Sequence, residues 1–254
     1  MQIAEHCYAV TGLAYLPPWS VNAGIVAGRH TTLIVDTSAC SLSAATIHGY
    51  ATAMRPGSRL LVINTEKHFD HVGGNGYFRQ RGVEILGHPG TVRTDAEFLA
   101  EKQEFNASIA DTVRRQKCEE SVFYTGTTFA PPTQFITAAT TLDLGEFEAQ
   151  IILTPGHTPT NLSVYVPSEE VLFSGDCVVT GYLPNLDCGC PLDWRAWLDS
   201  LDKIQQLAPK VIVPGHVPVA TGSDIDLNLA RIRTFLHETL RTGVTPTGKR
   251  RTTP

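Results

Sequence analysis

A cluster of polar side chains follows the apolar run LLVI in the segment LLVINTEKHFDHVGG. Glu66, His68, Asp70 and His71 lie within six positions, and carboxylate and imidazole groups are common ligands of divalent metal ions. A short run of Val, Ile and Leu bounded by polar residues is typical of a buried strand. The spacing therefore predicts metal ligands on the loop that leaves a strand, with a glutamate where a more familiar version of the pattern has a histidine.

Three further segments repeat this arrangement of an apolar run, a tight turn and a polar side chain. TPGHTPTN, FSGDCV and VIVPGHVP place His157, Asp176 and His216 just after strand-like runs. Together the four segments supply four histidines and three carboxylates, which is enough for two metal ions. The other five histidines lack this context and are expected to be ordinary structural residues.

The length and composition of the chain favour one enzyme-sized domain. It has 254 residues, of which 42% are hydrophobic and 18% charged, and we expect a single domain over residues 1–240. The segment 91–135, which contains TGTTFAPPTQF, is expected to be an insertion that covers one face as a lid or substrate wall. Residues 241–254, rich in Thr, Pro and Gly, are expected to form a flexible tail. The candidate wall residues of the insertion are Tyr124, Phe129 and Phe135.

The charge and the cysteine content limit the expected partners and compartment. A net charge of −5 without a basic stripe argues against a nucleic-acid partner. The sequence has no apolar run of the length that a membrane span needs, and its start does not resemble a secretion signal. We therefore expect a cytoplasmic protein whose six cysteines are reduced thiols and whose partner is a small-molecule substrate. A homo-oligomer is compatible with the sequence.

Strand-like runs alternate with amphipathic helices over much of the chain. Apolar residues recur at helical spacing over 194–207, where Asp193 is the expected N-cap, and over 225–240. The alternation predicts an α/β layered fold in which these helices pack on a sheet. The expected strands are 24–26, 32–35, 60–63, 83–86, 150–153, 162–166, 171–173 and 211–213.

The four segments resemble the metallo-β-lactamase-fold superfamily of hydrolases, which includes glyoxalase II, lactonases, β-lactamases and many thioesterases. The resemblance extends over about residues 22–218 and includes LIVDTS, in which Asp36 follows a strand. It implies an αββα sandwich of two mixed β-sheets flanked by helices, with a dinuclear metal site at one edge. By the same resemblance, one ion is held by His68 and His157, the other by Asp70, His71 and His216, with Asp176 between them and Asp70 as the catalytic residue.

The resemblance also implies a hydrolase that attacks an acyl bond, such as a thioester, lactone or ester, with a hydroxide that bridges two divalent ions. Zinc is the first expectation for these ions, with manganese or iron as alternatives. The true β-lactamases of the family generally lack the counterpart of Asp176, so β-lactams are expected to be poor substrates. A dioxygen-using diiron redox enzyme of the same fold is the alternative function, because an additional carboxylate ligand favours harder ions such as iron.

Three positions depart from the family pattern. Glu66 replaces a histidine, Ser38 stands where LIVDT usually continues with glycine, and Thr160 stands where a glycine often follows GHTP. Glu66 leaves two alternatives open: its carboxylate binds the first ion, or it points away and only the second site is well occupied. Asp36 or backbone carbonyl groups are expected to hold the second nitrogens of the ligand histidines.

Overall fold

Two six-stranded sheets pack against each other in the computed structural model of the chain, which describes residues 1–13, 21–107, 126–187, 189–216 and 218–248. In the first sheet the strands lie in chain order: β1 (Cys7–Val10), β2 (Ala23–Ala27), β3 (Thr31–Val35), β4 (Arg59–Ile63), β5 (Glu84–Gly87) and β6 (Gln134–Phe135). The second sheet also follows chain order: β7 (Thr140–Asp143), β8 (Glu148–Leu153), β9 (Leu162–Val166), β10 (Val171–Gly175), β11 (Val211–Pro214) and β12 (Ala220–Thr221). Each sheet combines parallel and antiparallel pairs.

Helices cover the outer faces of both sheets. The helices are α1 (Ser41–Met54), α2 (Phe69–Val72), α3 (Asn75–Arg79), α4 (Asp95–Ala107), α5 (Pro191–Leu207) and α6 (Ser223–Thr242), with a 3-10 turn at Pro89–Thr91. The predicted sandwich of two mixed sheets flanked by helices is therefore confirmed. None of the helices in the described ranges combines the length and the apolar composition that crossing a bilayer requires.

The alternation of side chains along the strands divides the apolar residues between three clusters. Leu33 and Val35 of β3 pack between the sheets with Val164 and Val166 of β9, while Ile34 faces the opposite way. Ile34 packs under α1, where Ala44 and Ile47 are buried; the counterpart cluster on the other sheet contains Trp194, Trp197, Leu201, Leu229 and Ile232. Burial of these apolar surfaces holds the two sheets against each other and brings their strand ends together.

All eight predicted strands are present, and each observed boundary lies within two residues of the prediction. The predicted helix 194–207 begins three residues earlier, because Pro191 occupies the first turn, where its fixed φ suits a helix start. The prediction of Asp193 as N-cap is wrong. Cys190 is the N-cap, and its backbone N–H donates a hydrogen bond of 2.9 Å to the Asp193 carboxylate.

The predicted insertion and the predicted tail differ in part from the structure. The insertion 91–135 contains α4, but its last two residues form β6, which pairs in parallel with β5 inside the first sheet. Residues 108–125, including Tyr124, lie outside the described residues, as do 249–254 of the tail. The first part of the tail is anchored, because the hydroxyl groups of Thr245 and Thr247 donate to Asp187 at 2.8 and 2.7 Å.

Candidate metal site

The ends of several strands meet at one edge of the sandwich and place the predicted ligands there. In the second sheet β8, β10 and β11 run in the same direction, because β9 is antiparallel to both β8 and β10 and β11 is parallel to β10. The residues that follow these three strands include His157, Asp176 and His216. The first sheet reaches the same edge, since the Leu162 N–H donates to the carbonyl oxygen of Thr65 at 2.6 Å.

Four potential ligand atoms form a first group at this edge. They belong to Glu66, His68, His157 and Asp176, and lie within 4.8 Å of one another. Glu66 Oε2 is 3.0 Å from His68 Nδ1, which in turn is 3.1 Å from His157 Nε2. Asp176 Oδ2 is 3.4 Å from the same His157 nitrogen.

A second group lies beside the first. Asp70, His71 and His216 each offer one atom within 4.8 Å of the others. His216 Nε2 is 3.4 Å from both Asp70 Oδ2 and Asp176 Oδ2, and His71 Nε2 is 3.6 Å from Asp176 Oδ1. Asp176 therefore contacts histidines of both groups, as the resemblance implies for a shared ligand.

Glu66 points into the site, which removes the alternative that it points away. Its Oε1 atom lies 3.3 Å from His71 Nε2 and 3.6 Å from His157 Nε2, and its side chain is fully buried. The structure thus brings together all seven residues singled out in the sequence.

Burial and hydrogen bonding show that this site fits divalent cations. Glu66 and His71 are fully buried, and Asp70, His157 and Asp176 are no more than 7% exposed. Both oxygens of Glu66, Oδ1 of Asp176 and Nε2 of His71 are buried without a hydrogen-bond partner among the described residues. Buried polar groups of this kind are unfavourable unless a partner compensates them. Three carboxylates facing four imidazoles form a donor set that suits two divalent cations.

The carboxylates and imidazoles shift one another's proton affinity. Burial lowers the pKa of His68 and His216, but attraction to Glu66 and to Asp176 outweighs it and raises these pKa values to about 9 and about 11. Burial raises the pKa of Asp70, but attraction to His71 and the contact with His216 lower it to about 2. In the absence of a cation, protons on the imidazoles therefore balance the carboxylates.

A carboxylate outside the two ligand groups, that of Asp36, orients His71. Asp36 Oδ2 lies 2.8 Å from His71 Nδ1, which leaves Nε2 directed at the ligand groups. Asp36 has a φ of +64°, a strained value for a residue with a side chain, and Thr65 holds it there. The backbone N–H and the hydroxyl of Thr65 donate to the two Asp36 oxygens at 2.7 and 2.6 Å. The orienting role expected for Asp36 is confirmed for His71, whereas the second nitrogens of His157 and His216 have no hydrogen-bond partner among the described residues. Nothing in the sequence pattern indicated Thr65.

The structure explains two of the departures from the family pattern. Ser38 has a φ of +63°, the left-handed region in which glycine carries no steric cost. Its hydroxyl donates to the Leu13 carbonyl at 3.1 Å. Thr160 is accommodated by Gly90, where a Cβ atom would lie 2.8 Å from the Thr160 methyl group.

Of the aromatic residues predicted to form a substrate wall, Phe129 packs as an ordinary side chain and Phe135 is exposed. Phe129 contacts Phe98 with ring centroids 5.2 Å apart, and Phe98 contacts Phe69 at 5.1 Å. Because Phe69 lies between His68 and Asp70, this stack connects α4 to the ligand segment. Phe135 is 52% exposed in β6. A substrate contact by either Phe129 or Phe135 stays a prediction.

The chain belongs to the metallo-beta-lactamase superfamily, whose sequence model matches residues 16–216. It is 22% identical over 220 residues to a metallo-beta-lactamase type 2 of Bacteroides fragilis, covering 85% of this chain and 77% of that protein. It is also 28% identical over 171 residues to hydroxyacylglutathione hydrolases of Brucella species, covering 67% of this chain. The chain spans 50% of the length of those hydrolases.

Solved structures of the superfamily share the fold. A metallo-beta-lactamase from Pontibacter korlensis superposes with a TM-score of 0.66 at 20% identity, covering 92% of this chain and 97% of that one. A metallo-beta-lactamase family protein from Thermus thermophilus gives a TM-score of 0.66 at 19% identity, covering 93% and 80%. At this level of identity the likeness concerns the fold alone, and the resemblance seen in the sequence is confirmed by the match to the superfamily model.

Proposed function

We propose that the chain is a dinuclear metal-dependent hydrolase that attacks the acyl carbon of a small-molecule thioester, lactone or ester. The observation that carries the proposal is the pair of ligand groups joined by Asp176, whose Oδ2 atom lies 3.4 Å from Nε2 of both His157 and His216. The similarity to hydroxyacylglutathione hydrolases supports an acyl group as the point of cleavage.

The proposed ligand set divides between two ions. Glu66, His68 and His157 would hold the first, Asp70, His71 and His216 the second, and Asp176 both. Two bound divalent ions, zinc first with manganese or iron as alternatives, would lower the pKa of a water nucleophile and polarise the acyl oxygen.

Asp70 is the proposed catalytic residue. Its carboxylate is ionised at neutral pH, because its pKa lies at about 2. Oδ2 faces His216 Nε2, so the other oxygen can accept a hydrogen bond from the attacking water and orient it toward the substrate. Asp36 keeps His71 in the tautomer that directs Nε2 at the site.

The test combines metal analysis with a substrate screen. Purified protein should contain two divalent ions per chain, and it should hydrolyse at least one class among acyl thioesters, lactones and esters, with loss of activity on chelation and recovery on metal addition. β-Lactams form a further arm and are expected to be cleaved poorly. The variant His237→Ala, which removes an exposed histidine of α6, is the control for His216→Ala. Absence of bound metal, or chelator-insensitive hydrolysis, would contradict the proposal.

A dioxygen-using diiron enzyme is the second candidate function. The observation that favours it is the buried Glu66 carboxylate in the first group, since oxygen ligands suit iron better than a third imidazole would. Two irons per chain, with dioxygen consumption in the presence of a reductant and no hydrolysis of acyl substrates, would decide for this function. Two zinc or manganese ions with acyl hydrolysis would decide against it.

A further inference from the structure

Glu66 lies between the two ligand groups rather than at the outer side of the first. Its Oε2 atom faces His68 of the first group at 3.0 Å, while Oε1 lies 3.3 Å from His71 of the second group and 3.6 Å from His157 of the first. The histidine that usually stands at this position has a single nitrogen to offer the site, so it cannot face both groups with separate atoms. A carboxylate can.

These distances match those between two ligands of one ion. Two donor atoms that each lie about 2.1 Å from an ion, at an angle of roughly 90–110°, are about 3.0–3.4 Å apart. Glu66 Oε2 and His68 Nδ1 meet this condition, as do Glu66 Oε1 and His71 Nε2. The imidazole nitrogen nearest to each oxygen of Glu66 therefore belongs to a different ligand group.

Burial argues in the same direction. Glu66 is fully buried, and neither of its oxygens has a hydrogen-bond partner among the residues that the structure describes. A single ion bound to one oxygen would leave the other oxygen buried and unpaired, which is costly. One ion could be chelated by both oxygens, but the two oxygens have their nearest imidazoles in different groups, which favours a separate ion for each. Two ions, one for each oxygen, compensate the whole carboxylate.

We propose that Glu66 is a second bridging carboxylate beside Asp176, and that it shifts the metal preference of the site from zinc toward manganese or iron, relative to a histidine at this position. This inference rests on the proposed dinuclear site and goes beyond it in assigning Glu66 to both ions. The oxygen donors of the second group would then be Asp70, Asp176 and Glu66, against the two nitrogens of His71 and His216. Oxygen-rich sets with more than four donors suit manganese and iron, whereas zinc favours four ligands with more nitrogen or sulfur.

Binding of manganese alone, without any substrate, tests the bridging role. In a His157→Ala background the first group is incomplete, and titration of metal-free protein with Mn²⁺ reports the ion held by the second group. The free ion is measured by electron paramagnetic resonance. Adding Glu66→Gln, which keeps the shape and removes the charge, should weaken binding of this remaining ion at least tenfold. An unchanged affinity would show that Glu66 serves only the first group, and the bridging role would be overturned.

Controls separate this effect from misfolding and from a general change of charge. Glu238→Gln removes an exposed carboxylate of α6 and should leave Mn²⁺ affinity unchanged in the same background. Circular dichroism and thermal unfolding check that each variant is folded. If the Glu66→Gln, His157→Ala protein does not fold, the same titration in a His68→Ala background provides the result.

Metal competition tests the selectivity. Metal-free protein is incubated with equal concentrations of Mn²⁺ and Zn²⁺ and washed, and the retained ions are counted by elemental analysis. Glu66→His, which restores the commoner ligand, should lower the ratio of manganese to zinc at least tenfold relative to the natural chain. An equal ratio in both proteins would overturn the selectivity. A natural chain that binds fewer than two ions contradicts the proposed hydrolase itself, whereas two ions unaffected by Glu66→Gln contradict only the inference about Glu66.

Discussion

The two sheets contribute to the site in different ways. The first sheet supplies four of the seven residues from one segment of six positions, Glu66 to His71, directly after β4. The second sheet supplies one residue from each of three separate strand ends, after β8, β10 and β11. Ligand geometry is therefore largely local in the first sheet, while in the second sheet it depends on the register of strands that are far apart in the chain.

The support of the histidines differs between the sheets as well. Asp36 orients His71 through a contact of 2.8 Å, so a charged group determines the direction of that imidazole. Nδ1 of His157 and Nδ1 of His216 are buried and have no hydrogen-bond partner in the described part of the chain. Packing contributes instead: the His157 ring lies against Trp197, with centroids 5.7 Å apart. A carboxylate thus orients His71 of the first sheet, whereas ring packing supports His157 of the second.

Removing one ligand from each sheet should have the largest effect. We expect Asp70→Ala and His216→Ala each to abolish activity and to lower metal content, while circular dichroism shows a retained fold, because both residues lie at strand ends outside the apolar core. Activity assays and elemental analysis measure the outcome, with His237→Ala as control. Full turnover by either variant with unchanged metal content would remove the second ligand group from the proposal.

A single added methyl group should damage the part of the site built by the second sheet. A Cβ atom at Gly215 would lie 1.8 Å from Asp176 Oδ1, so Gly215→Ala must displace the carboxylate that contacts both groups. A displacement of about 1 Å costs on the order of 10²-fold in rate. Gly49→Ala is the matched control, since a Cβ at Gly49 in α1 would meet nothing within 4 Å. Equal activity of the two variants would show that Asp176 need not hold this position.

Removing the orienting charge should have a smaller effect, confined to the first sheet. Asp36→Asn leaves the size unchanged but weakens the hold on His71, and we expect metal affinity to fall about 10–100-fold. Metal titration measures this affinity, and Asp199→Asn, on the exposed side of α5, is the control. If Asp36→Asn and Asp199→Asn bind metal equally well, the orientation of His71 does not depend on this carboxylate.

The pH dependence of stability should differ between the metal-free and the metal-loaded protein. Without metal, His68 and His216 have folded-state pKa values of about 9 and about 11 against 6.5, so their contribution is complete below pH 6.5 and is lost as the pH rises through the folded-state values. Asp70, lowered to about 2 from 3.8, contributes above pH 3.8 and loses this as the pH falls toward 2. The melting temperature of the metal-free protein should therefore decline from pH 6.5 upward.

Metal binding competes with these protons and becomes tighter as they leave. The increase in melting temperature on adding metal should consequently be larger at pH 9 than at pH 6, as measured by differential scanning calorimetry. A metal-induced increase that shrinks over this range would contradict the charge balance described for the site.

The smallest expected effect concerns Ser38, which is strained beside the ligand segment of the first sheet. Relief of the left-handed φ is worth about 1–2 kcal/mol and the greater freedom of unfolded glycine offsets about 0.5–1 kcal/mol, so Ser38→Gly should stabilise the fold by up to about 1.5 kcal/mol. Denaturant unfolding measures it. Ser38→Ala is the control, because it removes the hydroxyl group and keeps the backbone strain. If both variants are equally stable, loss of the hydroxyl group and not relief of the strain accounts for the change in the free energy of unfolding.

The sequence by itself determined the strands that end at the site and the identity of the seven polar residues. Each of these residues follows a short apolar run of the kind that predicts a buried strand. Such a run consists of neighbouring residues, so it can be recognised from the sequence alone. Elements with a weak pattern escaped prediction, such as β7, whose residues Thr140–Asp143 are mostly exposed, and α1, whose face is built of small residues such as Ala44 and Ala51. Cys190 was missed as an N-cap because the preference for Asp at that position favoured Asp193.

Only the tertiary structure decided which atoms face each other. The sequence left open whether Glu66 turns toward the site, because the answer depends on His157, which reaches it from the other sheet, 91 positions later in the chain. The strained backbone at Asp36 and Ser38 was equally invisible, since φ at a single residue is imposed by partners such as Thr65 that become neighbours only on folding. The local sequence pattern determines which residues lie at the end of a strand. The packing of the two sheets determines which atoms their side chains contact.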